Sequence, residues 1–290
     1  MGSHERWTGL LDILGRDGRL DVLEAATELA VSPATIRRDL DHLAAQQLLS
    51  RTRGGAVPAS VAYDLPLRYK TGRHTREKSR IGAAAAALVP AGSVVGVNGG
   101  TTTSEFARAL VTTPPNGSPA VPDGSAPASV DPDGARAVDL DGGGADAGLD
   151  HPVFTVVTNA LNIANDLAVR RTVKLVVVGG VARPSSYELI GPLAESSLLR
   201  LHLDFMVLGV DGFDLATGAT AHHEGEAAVS AAMAEHASTV IVVADASKLG
   251  MRRFARICPT TSVDVLVTDA GADPVLLQRF RDAGVRVKTA

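Results

Sequence analysis

One stretch of the chain combines a glycine turn with a run of hydroxyl side chains. The segment VVGVNGGTTTSEFARAL, residues 94–110, is typical of a buried strand, a Gly-Gly turn and a helix that opens on three threonines. Glycines let backbone N–H groups approach an anion, threonines add donors, and a helix N-terminus carries partial positive charge. The pattern therefore favours a phosphate site, and a turn with threonine caps is the alternative interpretation. The candidate residues are Asn98, Gly99, Gly100, Thr101, Thr102 and Thr103.

Polar residues and glycines also follow the other predicted strands. They are Thr158 and Asn159 after FTVV, Gly179 and Gly180 after LVVV, Asp211 and Gly212 after LGV, and Lys248 shortly after IVVA. Taken singly, each is more simply explained as a turn that ends a strand. In a parallel sheet, however, the carboxyl ends share one edge, where ligands bind. Their convergence predicts a ligand site in which Lys248 supplies a cation to a phosphate ester.

The segment HHEGE, residues 222–226, contains side chains that can bind a metal. Adjacent histidines do not share a helix face, and the H-E-x-x-H spacing and a partner cysteine are both missing. We therefore expect a polar loop that enters the next helix, in preference to a metal site, and we expect no cofactor. Glu226 remains a candidate for contact with a sugar hydroxyl.

A second group of candidate residues is a cluster of arginines within SPATIRRDLDHLAAQQLLSRTRGGA, residues 32–56. Arg37 and Arg38 are adjacent, and two further arginines follow at alternating positions, in a chain of formal net charge −4. An arginine can donate two hydrogen bonds to guanine in the major groove of DNA. Alternatively, Arg37 and Arg38 pair with Asp41 on a solvated helix, a contact worth only about 0.2–0.5 kcal/mol.

Three helices are predicted up to this cluster. Apolar residues recur with helical spacing over residues 7–14, before Gly15 and Gly18 end the pattern. Asp21 is placed to cap a second helix and Ser32 a third, with Pro33 at the first helical position. Two helices joined by a tight turn form a helix-turn-helix arrangement.

The third helix and the segment after it position the arginines. Ile36, Leu40 and Leu43 share one face, so the opposite face points outward near the end that recognition helices insert into the major groove. The alternation in LLSRTRGGA then indicates a strand and a Gly-Gly turn, which together make a wing. These elements favour DNA binding over a solvated charged face. The candidate DNA contacts are Ser32, Ala34, Thr35, Arg37, Arg38, Arg51 and Arg53.

The remainder of the chain alternates helical segments with short apolar runs such as SVVGV, FTVVT and TVIVVA. This alternation indicates a parallel sheet covered on both faces, so we predict an α/β domain over residues 76–290. Residues 1–57 form the predicted winged helix-turn-helix domain, and residues 58–75 a linker. Residues 113–151 are dominated by Pro, Gly, Ser, Ala and Asp, so they cannot offset their ordering entropy by burial, and we predict a mobile insertion.

Composition restricts the class of protein. The chain has 290 residues, of which 45% are hydrophobic and 21% charged, as in an ordinary globular protein. No apolar run reaches membrane-spanning length and the first residues lack a secretory signal, so we expect a cytoplasmic protein with no membrane partner. A single cysteine cannot form an internal disulfide, which agrees with a reducing compartment.

Several of these stretches, in this order along nearly the whole chain, resemble the DeoR-type family of bacterial sugar-metabolism regulators. The resemblance is carried by VSPATIRRDLDHLAAQQLLSRTRGGA, NGGTTTSEFA, VVTNALNIANDLA, VVVGGVARPSSYELIGPLAE, LGVDGFDLATG and VVADASKLG. It implies a winged helix-turn-helix followed by a sensor domain, similar to sugar-phosphate isomerases, that binds a phosphorylated sugar and performs no chemistry. It also implies a homodimer or homotetramer on double-stranded operator DNA.

The resemblance also implies roles for individual residues. Thr35, Arg37 and Arg38 would contact DNA, and Asp211 and Lys248 would face the sugar. Gly100, Thr101 and Thr102 would hold the phosphate. The chain departs from the family pattern at Asn98, where the family usually has Asp, and in its insertion over residues 113–151.

The leading hypothesis is a transcriptional regulator of the repressor type, whose operator affinity responds to a phosphorylated sugar. Two alternatives remain open. One is a sugar-phosphate isomerase or deaminase with an appended domain, in which Asp211 and Asp214 transfer protons with Glu226 and Lys248 as partners. The other is a DNA-binding scaffold with a vestigial pocket, which no sugar phosphate would stabilise.

Overall fold

The computed structural model describes residues 2–46, 48–58, 74–112 and 152–290. We call residues 2–46 and 48–58 the head, and residues 74–112 and 152–290 the body. The insertion predicted over residues 113–151 and all but the ends of the predicted linker lie outside the described residues. Among the described helices, none has both the length and the apolar character that a membrane span requires.

The head contains the three predicted helices. They are α1 Ser3–Asp17, α2 Val22–Glu28 and α3 Pro33–Ala45. The Asp21 carboxylate accepts hydrogen bonds from the N–H groups of Leu23 and Glu24, and so begins α2. α1 passes through Gly15 and is capped by Gly18, the second of the two glycines predicted to end it, whose φ of 70° is the left-handed conformation that favours glycine. Apolar residues from all three helices and the wing form the head's core.

A three-stranded sheet completes the head. Its strands are β1 Leu20–Asp21, β2 Leu49–Thr52 and β3 Gly55–Pro58, in the order β1-β3-β2 with antiparallel pairing. The two glycines of the predicted Gly-Gly turn lie in different elements. Of the two, only Gly54 lies in the turn, with a φ of 101°. Gly55 already belongs to β3, where an added Cβ would lie 1.8 Å from the carbonyl oxygen of Leu20. The second glycine therefore allows the wing to pair with β1.

The body is built on a parallel sheet of seven strands, which confirms the predicted fold class. The spatial order is β15-β14-β12-β9-β4-β5-β6. The strands are β4 Val94–Val97, β5 Phe154–Thr158, β6 Val173–Val177, β9 Leu203–Gly209, β12 Ala237–Val243, β14 Val265–Thr268 and β15 Arg286–Thr289. Because all pairings are parallel, the carboxyl ends of these strands meet at one edge of the sheet.

Helices cover both faces of this sheet. They are α4 Thr75–Ala86, α5 Thr101–Thr112, α6 Leu161–Leu167, α7 Pro192–Leu198, α8 Glu224–Glu235 and α9 Pro274–Asp282. Side chains of β9 alternate between two cores, with Met206 and Leu208 in one and Val207 in the other. Burial on both faces explains why the strands appear in the sequence as continuous apolar runs.

Two small β structures follow strands of the main sheet and were not predicted. A hairpin of β7 Val181–Arg183 and β8 Glu188–Ile190 comes after β6. A sheet of β10 Gly212–Asp214, β11 Gly218–Ala221 and β13 Ala255–Cys258 begins after β9. Backbone hydrogen bonds join the hairpin to the end of β5, from Leu189 N to Asn159 O at 2.7 Å and from Leu161 N to Tyr187 O at 2.9 Å. The hairpin therefore lies at the carboxyl edge of the main sheet.

Candidate DNA-binding surface and ligand site

The outward face of α3 carries the residues that the sequence proposes for DNA contact. Arg37, Arg38 and Ala34 are exposed, and Thr35 is half-buried. Ser32 begins the helix, because its Oγ accepts a hydrogen bond from Thr35 N at 3.1 Å. The opposite face is anchored by Ile36, Leu40 and Leu43, which are completely buried. The two guanidinium groups thus lie at the surface of a helix that the core holds in place.

The wing is tied to α3 by an ion pair. Arg51 Nε lies 2.9 Å from Asp41 Oδ1, and Arg51 also donates to the carbonyl oxygen of Gly55 at 3.0 Å. Asp41 therefore pairs with the wing rather than with Arg37 or Arg38 of its own helix, which was the alternative considered from the sequence. Arg53 is exposed in the turn at the wing's tip. Arg51 positions the wing, and Arg53 is presented to the outside.

A buried carboxylate joins α1 to α3. Asp39 is 5% exposed and accepts hydrogen bonds from Arg6 Nε at 2.7 Å, Arg6 Nη2 at 3.1 Å and Trp7 Nε1 at 2.8 Å. The hydrogen bond to Asp39 raises the pKa of Arg6 above its usual value, against the opposing effect of desolvation. The Trp7 ring also stacks on His42, with ring centroids 4.1 Å apart. This network was not predicted from the sequence, although a carboxylate three residues after Ile36, on the buried face of α3, could have indicated it.

In the body, the end of β4 is fixed by the amide of Asn98. Its Nδ2 donates to Gly209 O at 3.0 Å and to Ser230 Oγ at 3.1 Å, and its Oδ1 accepts from Gly209 N at 2.8 Å. Asn98 is 4% exposed. Both donor hydrogens and the acceptor oxygen are therefore used to join β4, β9 and α8, and Asn98 fixes the loop that follows it.

The loop after Asn98 leads into the N-terminus of α5. Gly100 has a φ of 145°, and its carbonyl oxygen accepts from Ser104 Oγ at 2.7 Å, Thr103 Oγ1 at 3.1 Å and Ser104 N at 3.1 Å. The hydroxyl groups of Thr103 and Ser104 are thus directed to the backbone. The N–H groups of the first turn have no acceptor within the helix, and they point along its axis with the positive end of the helix dipole. Backbone donors and the half-buried Thr101 make this turn suited to an anion.

A carboxylate outside the set of predicted site residues lies against this loop. A Cβ added to Gly99 would be 2.2 Å from Oε1 of Glu188, which is 4% exposed on β8. Asn159 Nδ2 donates to Glu188 Oε2 at 3.0 Å. Thr158, one residue earlier, donates from Oγ1 to Val97 O at 2.7 Å, which joins the ends of β5 and β4. The predicted residues of these two strands are therefore brought together around Glu188.

A partly buried ion pair joins the hairpin to α8. Arg183 Nη1 lies 2.9 Å from Oε1 of Glu226, and Glu226 is 7% exposed. Glu226 precedes Ser230 by one helical turn, so the same face of α8 contacts both the hairpin and Asn98. His223 accepts from Gly225 N through Nδ1 and begins α8. Within the described ranges, no group of three or more potential ligand side chains is placed to hold a metal ion.

The remaining candidates lie at the ends of other strands. Asp211 Oδ2 accepts from His222 N at 3.2 Å, and Gly212 packs so closely that an added Cβ would be 2.4 Å from Met251 O. Lys248 is half-buried in a short 3₁₀ turn, Ala246–Lys248. Gly179 is exposed after β6, and the next glycine has a φ of 133° beside β8. These residues lie at the same edge of the sheet. Hydrogen bonds to Glu188 or Asn98, however, join only some of the residues that the sequence predicts to bind the effector.

The second aspartate of VDGFD, Asp214, is held by hydrogen bonds within the fold. Desolvation acts to raise the pKa of Asp214, but hydrogen bonds from Arg252 and from the N–H groups of Thr217 and Ala216 outweigh it and hold the pKa below its usual value. The Arg252 Nε to Asp214 Oδ1 distance is 2.8 Å. A carboxylate held ionised in this way is poorly suited to donate a proton near neutral pH.

Comparison with known proteins gives matches in both parts of the chain. Residues 6–61 match the DeoR-like helix-turn-helix domain, and residues 147–270 match the DeoR C terminal sensor domain. The regulator GlpR of Haloferax volcanii is 32% identical, over 93% of this chain and 91% of its own. The repressor GlcR of Bacillus subtilis is 30% identical over 93% of this chain and 89% of its own, and the glycerol-3-phosphate regulon repressor of Escherichia coli is 27% identical over 99% of each.

Proposed function

Because the chain belongs to the DeoR family of transcriptional regulators, we propose that its operator affinity is controlled by a phosphorylated sugar bound in the body. Family membership makes it a DNA-binding regulator rather than an enzyme, so the isomerase and deaminase alternative is set aside. The structured environment of Asp214 supports this, since one of the two carboxylates suggested for proton transfer serves as a hydrogen-bond acceptor within the fold.

The proposed DNA contacts are supported by two observations: the arginine side chains are exposed, and the opposite face of their helix is anchored in the core. Arg37 and Arg38 project from α3, whose opposite face is buried, and Asp41 is already paired with the wing. Ala34 and Thr35 lie at the N-terminal end of the same face, where a recognition helix meets base edges. Arg53 at the wing's tip is suited to phosphate, and Arg51 to holding the wing in position.

For the effector, the observation that carries the proposal is the fixed loop from Gly99 to Thr103. It presents the N-terminus of a 12-residue helix at the carboxyl edge of a parallel sheet. A phosphate dianion at this position would meet backbone donors and the helix dipole. The sugar would then extend toward the hairpin and α8, where Arg183, Glu226 and Glu188 lie.

Regulation requires that the ligand bind the DNA-bound and DNA-free forms with different free energies. A tenfold change in operator affinity corresponds to a difference of about 1.4 kcal/mol. We also propose a homodimer or homotetramer, since symmetric oligomers of helix-turn-helix proteins read two half-sites. Light scattering after size exclusion measures this assembly, and a monomer at all working concentrations would contradict it.

A substitution at the start of α5 tests the phosphate site. Thr101→Asp should leave the body folded, because a carboxylate is favourable at a helix N-terminus, but should abolish binding of sugar phosphates by repulsion. Thr101→Asn is the matched neutral control and should keep binding. Thermal-shift titration with sugar monophosphates, each beside its dephosphorylated sugar, gives the measurement. Stabilisation of the wild-type chain by the free sugars to the same extent would contradict a phosphate site.

A further inference from the structure

The two edges of the seven-stranded sheet differ in charge. β15, at one edge, carries Arg286 and Lys288 in a strand of four residues. Charged side chains on an edge strand oppose its pairing with a further strand. β6, at the other edge, has the sequence VKLVV, in which Lys174 is the only charged residue. Within the described ranges no strand pairs with the outer side of β6, so this apolar edge is open to strand pairing.

Exposed apolar side chains are concentrated in the segment that contains β6. Of the eleven large apolar side chains that are exposed in the described part of the chain, seven lie between Leu161 and Leu199. Val177 is the last residue of the strand, and Val169, shortly before the strand, is 79% exposed. Exposed apolar residues that are grouped rather than scattered mark interaction surfaces. This side of the body is therefore suited to contact with another protein surface.

Alternate residues of β6 face the neighbouring strand β5. Thr172 O accepts a hydrogen bond from Phe154 N at 3.2 Å, and Val178 N donates to Thr158 O at 3.0 Å. Because backbone groups point to alternate sides along a strand, the even-numbered residues of β6 form the ladder with β5. The odd-numbered residues of the strand direct their N–H and C=O groups to the open edge. They are Val173, Leu175 and Val177.

We propose that β6 pairs in antiparallel orientation with β6 of a second copy of this chain, about a two-fold axis at Leu175. The inference rests on the proposed homo-oligomer and specifies its interface. In this register Leu175 exchanges both backbone hydrogen bonds with Leu175 of the partner subunit. The Val177 N–H then donates to the carbonyl oxygen of the partner's Val173. The Val173 N–H is not needed across the axis, since it donates to Arg170 O at 3.1 Å within its own chain.

The strand is complementary to itself in this register, which favours a second copy as the partner. Lys174 lies opposite the partner's Val176, so no like charges are directly opposed, and the lysine stem covers the valine while its ammonium group stays in water. Each copy uses the same edge, so the assembly closes as a dimer rather than extending into a filament. A two-fold axis is also the symmetry with which two recognition helices read two half-sites of DNA.

Proline substitutions at the two edges test the pairing. Leu175→Pro removes an N–H group that the ladder with β5 does not use, so the body should fold, as proline is tolerated on edge strands. The mass from light scattering after size exclusion should fall to half that of the wild-type oligomer or less. Val287→Pro is the matched control on β15, where Arg286 N donates inward to Asp264 O and Val287 therefore faces outward. It should keep the wild-type mass. A folded Leu175→Pro variant of wild-type mass would overturn the inference.

Cysteine cross-linking tests the register and does not depend on the proline variant. Cα atoms of a hydrogen-bonded antiparallel pair are about 5.5 Å apart, within disulfide reach, so Leu175→Cys should cross-link two copies under oxidising conditions. Val177→Cys is the matched control, because its two copies would be about 14 Å apart along the strands. The wild-type chain, whose single cysteine Cys258 is buried, supplies the background. Cross-linking of Leu175→Cys no faster than of Val177→Cys would overturn the pairing.

The outcomes separate this inference from the proposal on which it rests. A wild-type chain that stays monomeric would contradict the homo-oligomer and the pairing together. An oligomer in which Leu175→Pro keeps the mass and Leu175→Cys does not cross-link would refute the pairing alone and assign the contact to another surface. Loss of mass in Leu175→Pro, together with cross-linking of Leu175→Cys, supports both.

Discussion

Arg6 donates from Nε to Oδ2 of Asp39 across 2.7 Å, in an ion pair that joins α1 to the helix carrying the exposed arginines. The Arg6 and Asp39 side chains are 16% and 7% exposed, so water screens the pair only weakly. Trp7 donates to the same carboxylate. The buried Asp39 carboxylate therefore joins the apolar core in fixing the orientation of α3 relative to α1.

Asp39→Asn should destabilise the head by about 1–3 kcal/mol, because at least one buried donor or the Arg6 charge loses its partner. Trp7 is the only tryptophan, so its fluorescence during urea denaturation reports on the head directly. Asp41→Asn is the matched control. Its pair with Arg51 is at the surface, where the loss is at most about 1 kcal/mol. Equal effects of the two substitutions would contradict a structural role for the buried network.

Arg38→Ala should weaken specific operator binding by about 1–3 kcal/mol while leaving the body folded, because a bidentate contact to a base would be lost. Duplexes selected from a random pool by the wild-type chain supply the operator, and fluorescence anisotropy supplies the affinity. Arg200→Ala removes an exposed arginine of the body and should have little effect. Unchanged affinity in the Arg38 variant would refute α3 as the recognition helix.

Arg53→Ala should weaken binding almost equally across DNA sequences, because the wing's tip is proposed to contact phosphate. The slope of log affinity against log salt concentration should fall by about 1. Anisotropy titrations at several salt concentrations, on the operator and on an unrelated duplex, measure both effects. A loss confined to the operator would indicate that Arg53 reads bases instead.

Gly99→Ala should destabilise the body, because the new Cβ would lie 2.2 Å from Oε1 and 2.5 Å from Cγ of Glu188. Adding Glu188→Ala should recover much of the loss, with a coupling free energy of about 0.5–3 kcal/mol in urea denaturation. Gly179→Ala is the control, since its Cβ would meet nothing closer than Ser197 Oγ at 3.9 Å. Strict additivity of the two substitutions would show that the carboxylate does not lie on Gly99.

Cys258 should resist alkylation in the folded chain, because burial raises the pKa of its thiol to about 11, despite opposing effects of the Ala219 hydrogen bond and the Arg256 charge. Since the thiolate forms more readily in the unfolded chain, the free energy of unfolding should fall as pH rises from about 9 to about 11. Iodoacetamide at pH 8, with and without urea, tests the first expectation. Rapid labelling of the folded chain would contradict it.

The features that sequence analysis predicted are those set by local patterns. Helix caps at Asp21 and Ser32, the buried face of α3 and the apolar strands of the parallel sheet all depend on neighbouring residues, and the structure confirms them. The contacts of individual predicted DNA-binding and effector-binding residues stay predictions.

The features that were missed depend on residues distant in the sequence. Glu188 matters because β8 brings it over Gly99, and no local pattern records that approach. Strands of three or four residues, as in the hairpin and the sheet around β11, are too short to show a period. Pairing of Asp41 along its own helix was only the alternative interpretation of the sequence, and the wing brings Arg51 to Asp41 instead.

The use of both donors and the acceptor of Asn98 within the sheet has a kinetic consequence. The loop after it is shaped during folding, so an arriving ligand gives up its own freedom of motion without having to order the protein. Capture should then follow the rate of diffusive encounter, with no slow step before it. Any conformational change that a ligand causes must then begin in side chains that can exchange hydrogen-bond partners, such as those of the hairpin. The loop after Asn98 keeps its conformation.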